Sequence, residues 1–245
     1  MSRRFEELDH QETPMGPVTL RRRFDAVLEA DVFEVKLGEE FLMSSAFTVA
    51  EEELARLVLA RLAEPPERGW QVLVGGLGLG YTAQAALEDE RVGAVTVLDA
   101  VEQVIDWHRR ELLPASAGLV ADPRLALVHA DFFAAVAGRQ TTDAVGAPAL
   151  SGAGYDAVLL DIDHTPHHLL NESHRDFYTV EGLSAMEAHL LPGGVLGIWS
   201  DDPPDEAFLD LLRQVYVDVA GEVVAFANRY TGGESTNTVY LARRR

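Results

Sequence analysis

The chain has 245 residues, 47% of them hydrophobic, which is enough for one sizeable core with an appendage. Forty acidic against twenty basic residues give a net charge of -20, a field that repels phosphate backbones and anionic lipid, so neither nucleic acid nor a membrane surface is an expected partner. There is no cysteine, which excludes disulfides, thiolate chemistry and a Cys-ligated zinc.

The same charge reads either as a solvated, self-repelling surface or as a field that steers a cationic small molecule. The opening Met1-Ser-Arg-Arg-Phe-Glu-Glu runs into acids instead of an apolar segment, and no apolar run approaches membrane-spanning length. A cytoplasmic location is therefore expected.

Taken in chain order, residues Val18 to Ser45 are strand-like. Val18-Thr-Leu-Arg, Val32-Phe-Glu-Val-Lys-Leu and Phe41-Leu-Met alternate and carry β-branched residues, with a turn at Gly38-Glu-Glu40. This predicts a small N-terminal β-hairpin appendage over residues 1–50, and an α/β unit over 51–245. Thr48 is placed to cap a helix with Glu51, Glu52 and Glu53 in its first turn, against the positive end of the dipole. Leu54, Leu57, Val58 and Leu62 form its apolar face, and Pro65-Pro66 stops it.

Gln71-Val-Leu-Val-Gly-Gly-Leu-Gly-Leu-Gly80 enters a helical pattern and is followed by Ala94-Val-Thr-Val-Leu-Asp99. A buried strand, a glycine turn, a helix and a second strand closed by an acid describe a nucleoside-cofactor site. Val101 to Leu113 has helical period, and Leu125 to Val128 is a third strand followed by Ala130-Asp-Phe-Phe133. Residues Gly138 to Gly154 read as a mobile loop or an insertion. Tyr155 to Asp161 is a fourth strand, Thr179 to Leu191 a helix stopped by Pro192-Gly-Gly194, and Val195 to Trp199 a fifth strand. A further helix reaches about Val219, and Glu222–Ala227 with Thr238–Ala242 close the chain as an antiparallel pair across a Gly-rich loop. Strands alternating with helices predict a doubly wound, mostly parallel sheet with helices on both faces.

Gly76, Gly78 and Gly80 are spaced Gly-x-Gly-x-Gly, with Tyr81 standing where the dinucleotide fingerprint needs its third glycine. The spacing turns the site away from NAD and toward a nucleoside without a pyrophosphate. Asp99 can accept both ribose hydroxyls or cap the next helix. Asp131, ending the third strand, can accept from an adenine amine or serve as a cap. Asp161-Ile-Asp163-His164-Thr-Pro sits at the carboxyl end of the fourth strand, where open α/β sheets hold ligands, and could bind a cationic or hydroxyl substrate and take its proton. His164, His167, His168 and His174 invite a metal reading, but they lack the i, i+4 helical spacing with a fixed carboxylate, so no metal is expected.

These residues together resemble the spermidine synthase family of aminopropyltransferases, which share the class I S-adenosylmethionine methyltransferase fold. Val72 to Gly80 is similar to the family's glycine loop, Val97 to Asp106 to its ribose segment, Asp122 to Asp131 to its adenine-side strand, and Tyr155 to Asp161 to its strand ending in the catalytic aspartate. Phe177-Tyr178, the following helix and Leu191-Pro-Gly-Gly also fit. The resemblance implies cofactor binding by Gly76, Gly78, Gly80, Asp99, Ala100, Asp131 and Phe132. It implies Asp161 as catalytic base or orienter, with Asp163, His164, Tyr178 and Trp199 lining an acceptor site. The cofactor implied is S-adenosylmethionine or its decarboxylated form, with a small-molecule acceptor, and homodimers are common in the family.

Three departures bear on the reaction. Leu79 stands where the family carries an aspartate that holds the donor's amine, and Asp161-Ile-Asp-His-Thr-Pro replaces an Asp-Ser-Ser-Asp-Pro loop. The family's segment bearing glutamine and tyrosine has no clear counterpart among Met43 to Glu53. The expectation is a spermidine-synthase-like transferase leaning to methyl transfer onto a small acceptor. The alternatives are aminopropyl transfer from the decarboxylated donor, or a nucleoside-binding module without turnover.

Overall fold

The computed structural model describes residues 5–13, 16–140, 142–143, 145–150 and 152–245. Two sheets carry the chain. The first is four-stranded and antiparallel in the order β1-β2-β3-β4, built from β1 (Phe5–Thr13), β2 (Gly16–Asp25), β3 (Ala30–Leu37) and β4 (Glu40–Ser44). Val18, Leu20 and Val35 point inward from it and are fully buried against the main core.

The strand β1 is absent from the sequence reading. Phe-Glu-Glu-Leu-Asp-His-Gln-Glu-Thr has no apolar alternation, because an edge strand buries neither face fully. Its pairing with β2 shifts register between Glu7 and Asp9. Just past that shift, the Asp9 carboxylate accepts from Trp107 Nε1 at 2.7 Å and from Arg110 at 3.0 Å.

The second sheet has seven strands in the order β10-β11-β9-β8-β5-β6-β7. It is built from β5 (Trp70–Gly75), β6 (Val92–Asp99), β7 (Leu125–His129), β8 (Tyr155–Leu160), β9 (Leu190–Ser200), β10 (Val217–Asn228) and β11 (Gly233–Arg243). Strands β5 to β9 run parallel, while β11 is antiparallel to both β9 and β10. The chain winds from β5 to β6 and β7 on one side, and to β8 and β9 on the other. The carboxyl ends of β5 and β8 therefore flank the point where strand order reverses, the place where such sheets bind ligands.

Helices cover both faces: α1 (Val49–Leu59), α2 (Tyr81–Leu87), α3 (Glu102–Arg109), α4 (Ser116–Ala121), α5 (Phe132–Val136), α6 (Val180–Glu187) and α7 (Glu206–Val215). Leu54 and Val58 of α1 lie so close to β9 that a Cβ at Gly197 would come within 2.4 Å of Val58. This is the doubly wound, mostly parallel sheet with an antiparallel C-terminal hairpin and an N-terminal β unit.

Several boundaries differ from expectation. The Thr48 hydroxyl makes no bond to the helix backbone and donates instead to Glu52 Oε1. Helix α7 stops at Val215, because Val217-Asp-Val-Ala, with Asp218 at φ 51, opens β10 on a bulge. Pro192-Gly-Gly194 lies within β9 as a register irregularity and does not precede the strand. In the segment 138–154, Asp143 accepts from Val145 and Ala147 amides, Thr142 bridges Pro148, and Ala149 is buried. The reading of that segment as mobile falls partly on residues outside the described set, and the described part is locally hydrogen-bonded.

The two sheets meet at the tip of the β10–β11 hairpin. Tyr230 donates its hydroxyl to Asp25 Oδ2 at 2.6 Å, and the Phe47 ring contacts those of Phe226 and Tyr230 at 5.5 and 5.8 Å between centroids. Among the described residues, no helix is long and apolar enough to cross a membrane.

Candidate active site

The glycine turn takes its shape from what surrounds it. Gly76, Gly78 and Gly80 all have positive φ (91, 49 and 93°), a region open to glycine at no steric cost. A Cβ at Gly76 would fall 2.2 Å from the Asp161 carbonyl, one at Gly78 2.7 Å from Met43 Sδ, and one at Gly80 2.5 Å from Leu119. The three glycines thus let the β5 turn lie directly on the β8 end, on β4 and on the α3–α4 region. Asp161 N donates to Gly75 O at 2.9 Å, which joins the two strand ends.

Asp99 ends β6 beside this turn. Its Oδ2 accepts from Leu77 N and its Oδ1 from Val101 N, with the Gly78 amide also facing it. Burial raises its pKa and these amides oppose the rise. A carboxylate has about four acceptor positions, so capacity remains for a ribose hydroxyl. Asp131 caps α5 through Oδ1, which accepts from Ala134 N at 3.0 Å. Its other oxygen has no protein partner among the described residues. Asp131 therefore makes the bond expected of a cap, whereas α3 has Val101 as its N-cap with no side-chain cap bond, so Asp99 holds the glycine turn and the loop that follows β6. Ala100 is exposed at the rim, while Phe132 is buried in the core below the sheet, against Gly75, and offers a ligand no open face.

A cavity of about 550 Å³ opens at the switch point. Its floor is Leu77 to Tyr81, one wall is Phe41 to Phe47 with Glu51, and the other wall is Asp161, Ile162, His164, Leu170, Trp199 and Asp201. Phe226 and Ser235 to Asn237 of the β10–β11 hairpin close it. Asp99, Ala100, Asp131 and Phe132 do not line it. Asp99 ends β6, on the far side of β5 from β8, whose end lines the cavity.

Three carboxyls face this cavity. Asp161 Oδ2 accepts from the Thr82 hydroxyl at 2.7 Å, and that hydroxyl also lies 3.3 Å from Glu51 O. Burial pushes Asp161 up to about 6, with the Thr82 bond opposing. Burial, followed by the negative charge of Asp161, pushes Glu51 up to about 8. Both carboxyls are thereby biased toward their protonated forms, since burial penalises the charge on each and the charge on Asp161 penalises that on Glu51. Asp201 is the third, its Oδ1 accepting from Asn237 at 2.7 Å and its amide donating to His164 O at 2.8 Å.

Glu51 is the residue that sequence reasoning missed. An acid in the first turn of a helix reads as a dipole partner, and only the packing of α1 on the sheet brings it to Asp161.

The structure brings Asp161, His164 and Trp199 to the cavity, but not Asp163 or Tyr178. Asp163 is 3% exposed, with Oδ1 accepting from Leu170 N and His174 Nδ1 and Oδ2 from the Tyr178 hydroxyl. Tyr178 packs on Phe133, Phe177 and Phe208 on the other side of the sheet, and burial raises its pKa well above the usual phenol value. This pair locks the loop after β8 instead of lining the acceptor site, because the loop turns inward at 163 once the strand has ended at Leu160. His167 bonds Asp205 at 2.7 Å, and the rings of His164 and His168 lie 4.9 Å apart. Among the described residues, no three His, Cys, Asp or Glu side chains are grouped to hold a metal.

The architecture is that of class I methyltransferase-like proteins. Within that class it is spermidine-synthase-like. A spermidine synthase in complex with the transition state analogue AdoDATO superposes with a TM-score of 0.70 at 18% identity, covering 98% of this chain and 72% of that one. The spermidine synthase from Thermotoga maritima gives 0.70 at 17%, covering 98% and 73%, and a probable spermidine synthase from Corynebacterium glutamicum gives 0.62 at 13%, covering 98% and 80%. No protein-family profile matches the chain.

Proposed function

We propose that this protein is a transferase that uses an S-adenosylmethionine-derived donor and an amine acceptor, with aminopropyl transfer from decarboxylated S-adenosylmethionine as the favoured reaction. The observation that carries the reading is the cavity at the switch point, where the Glu51 and Asp161 carboxyls and Asp201 face five aromatic residues, Phe41, Phe47, Tyr81, Trp199 and Phe226. Acids with aromatic faces suit a cationic alkylamine. The fold it shares with spermidine synthases supports the same choice.

The chain's residues fit such a donor. Asp99 keeps acceptor capacity for a ribose hydroxyl, Asp131 keeps a free oxygen for an adenine amine, and the glycine turn leaves no side chain between them. The donor supplies a carbon made electrophilic by sulfonium. The protein aligns the acceptor nitrogen with that carbon and removes its proton. An ammonium entering the cavity meets the Glu51 and Asp161 carboxyls, and the proton that burial retains there leaves to solvent as the cation's charge arrives. Asp161 then takes the amine's proton as nitrogen–carbon bonding replaces carbon–sulfur bonding. His164 and Trp199 shape the acceptor space, and Asp201 offers a second anionic point for a longer acceptor.

Methyl transfer onto the same acceptor is the second reading, favoured by one residue. Leu79 lines the cavity floor, 5% exposed, where the resembled family holds the donor's amine with an acid. Calorimetric titration with S-adenosylmethionine, its decarboxylated form, methylthioadenosine and NAD separates these. Preference for the decarboxylated donor is expected. Preference for S-adenosylmethionine moves the reading to methyl transfer, and failure to bind any sulfonium nucleoside or methylthioadenosine removes both.

A further inference from the structure

Behind the glycine turn lies a histidine with no part in the chemistry described so far. His108, on α3, is fully buried, and both ring nitrogens are engaged. Nε2 lies 2.9 Å from Gly78 O and Nδ1 lies 3.1 Å from Ser116 Oγ. A carbonyl only accepts, so Nε2 carries the proton and donates to Gly78. Nδ1 is then the acceptor, and it takes the Ser116 hydroxyl. Burial lowers the His108 pKa, against the bond to Gly78, which raises it. The ring lies against Gly80, where an added Cβ would come within 2.8 Å of its Cε1. The neighbouring Trp107 is tied to Asp9 of β1, so α3 is held against rolling.

This contact decides which way the turn faces. In a planar trans peptide, the carbonyl of one residue and the N–H of the next point in opposite directions. With Gly78 O drawn back to His108, the Leu79 N–H faces away from the core, and Leu79 lines the cavity. Among the described residues, that N–H has no protein acceptor. Turning this peptide over would rotate ψ of Gly78 and φ of Leu79 and drive the leucine to positive φ, so loss of the bond to His108 would loosen the turn and not invert it.

We propose that His108, oriented by Ser116, is the positioning residue that fixes the Gly78–Leu79 peptide and so presents the Leu79 amide to the donor; this rests on the reading of the glycine turn as the donor's cradle. The consequence concerns donor affinity and not the acceptor.

The test uses the full chain and two variants. H108L removes the ring donor, while H108Q keeps a side-chain N–H that can reach Gly78 O. Two readouts are taken: calorimetric affinity for methylthioadenosine, and amide hydrogen exchange over residues 76–82. H108L is expected to weaken methylthioadenosine binding roughly tenfold, the cost of orphaning a buried carbonyl, and to speed exchange in that segment alone. H108Q is expected to recover both. Unchanged binding and exchange in H108L overturn the proposal, and so does acceleration spread evenly over the chain with no recovery in H108Q. If the wild-type protein binds no methylthioadenosine, the donor reading fails and the exchange pattern alone decides the role of His108. If H108L does not fold, S116A replaces it. Freeing the ring to turn is then expected to give a smaller acceleration confined to the segment, and its absence overturns the proposal.

Discussion

Thr82, in the first turn of α2, donates its hydroxyl to Asp161 Oδ2 across the glycine turn at 2.7 Å. The bond opposes the upward push that burial exerts on Asp161. Removing it with Thr82→Val is expected to raise the Asp161 pKa further and to shift the acid limb of the pH–rate profile to higher pH. Methylthioadenosine affinity should stay within about threefold, since Thr82 is placed on the acid and not on the nucleoside. An unshifted limb would separate Asp161 from the titrating step.

Asp99 and Asp161 lie on opposite sides of the turn and should fail differently. Asp99→Ala is expected to weaken nucleoside binding, because the two amides it holds and the ribose acceptor are lost together. Asp161→Ala should leave binding intact and lower turnover by about 10²–10⁴, the usual contribution of a positioned base. Equal loss of binding in both variants would remove this division of roles.

The Glu51–Asp161 pair makes a signed prediction about stability. Both carboxyls hold their protons more tightly folded than unfolded. The folded chain therefore binds more protons through the window from the ordinary carboxylate range up to about 8. Stability from this pair is fully present below the ordinary carboxylate range and is lost as pH rises through about 6 and then about 8. Glu51→Gln, which is neutral throughout, should show a shallower fall in melting temperature across that window than the wild type. The comparison is the difference between the two curves, because other groups such as Asp25, held well below the usual range by the Tyr230 hydroxyl and Arg23, tilt both curves alike.

Asp163 is held by its own loop and does not line the cavity. Its buried carboxylate satisfies three donors at 2.8, 2.8 and 3.0 Å. Asp163→Ala orphans them all and is expected to destabilise the fold by about 3–5 kcal/mol, read as a lower midpoint in urea. Whatever folded fraction remains should bind methylthioadenosine normally. Lost affinity in folded protein would return Asp163 to the ligand.

The central strand–turn–helix–strand was readable because each part signals locally. Val72 to Gly75 is a continuous apolar run, as a strand buried on both faces requires, and the glycines mark the turn that follows. Asp161 was readable for the same reason, as an acid closing an apolar strand. Glu51 was not, since its meaning depends on α1 lying against the sheet, and nothing in Glu-Glu-Glu singles out the residue that turns inward. Asp163 misled because its distance from Asp161 along the chain says nothing about direction once β8 has ended. His108 sits in an amphipathic helix where a buried histidine looks like any other core position. Its role requires the turn to be folded behind it.

The wall made by β4 and α1 and the β10–β11 hairpin that closes the cavity come from opposite ends of the chain, and Tyr230 and Asp25 clasp the hairpin to the N-terminal sheet. Asp99 and Asp131 belong to neither. On the proposed function, such a division would let the two halves of the chemistry change independently: exchanging the terminal segments would alter what is modified, while the grip on the donor is inherited untouched.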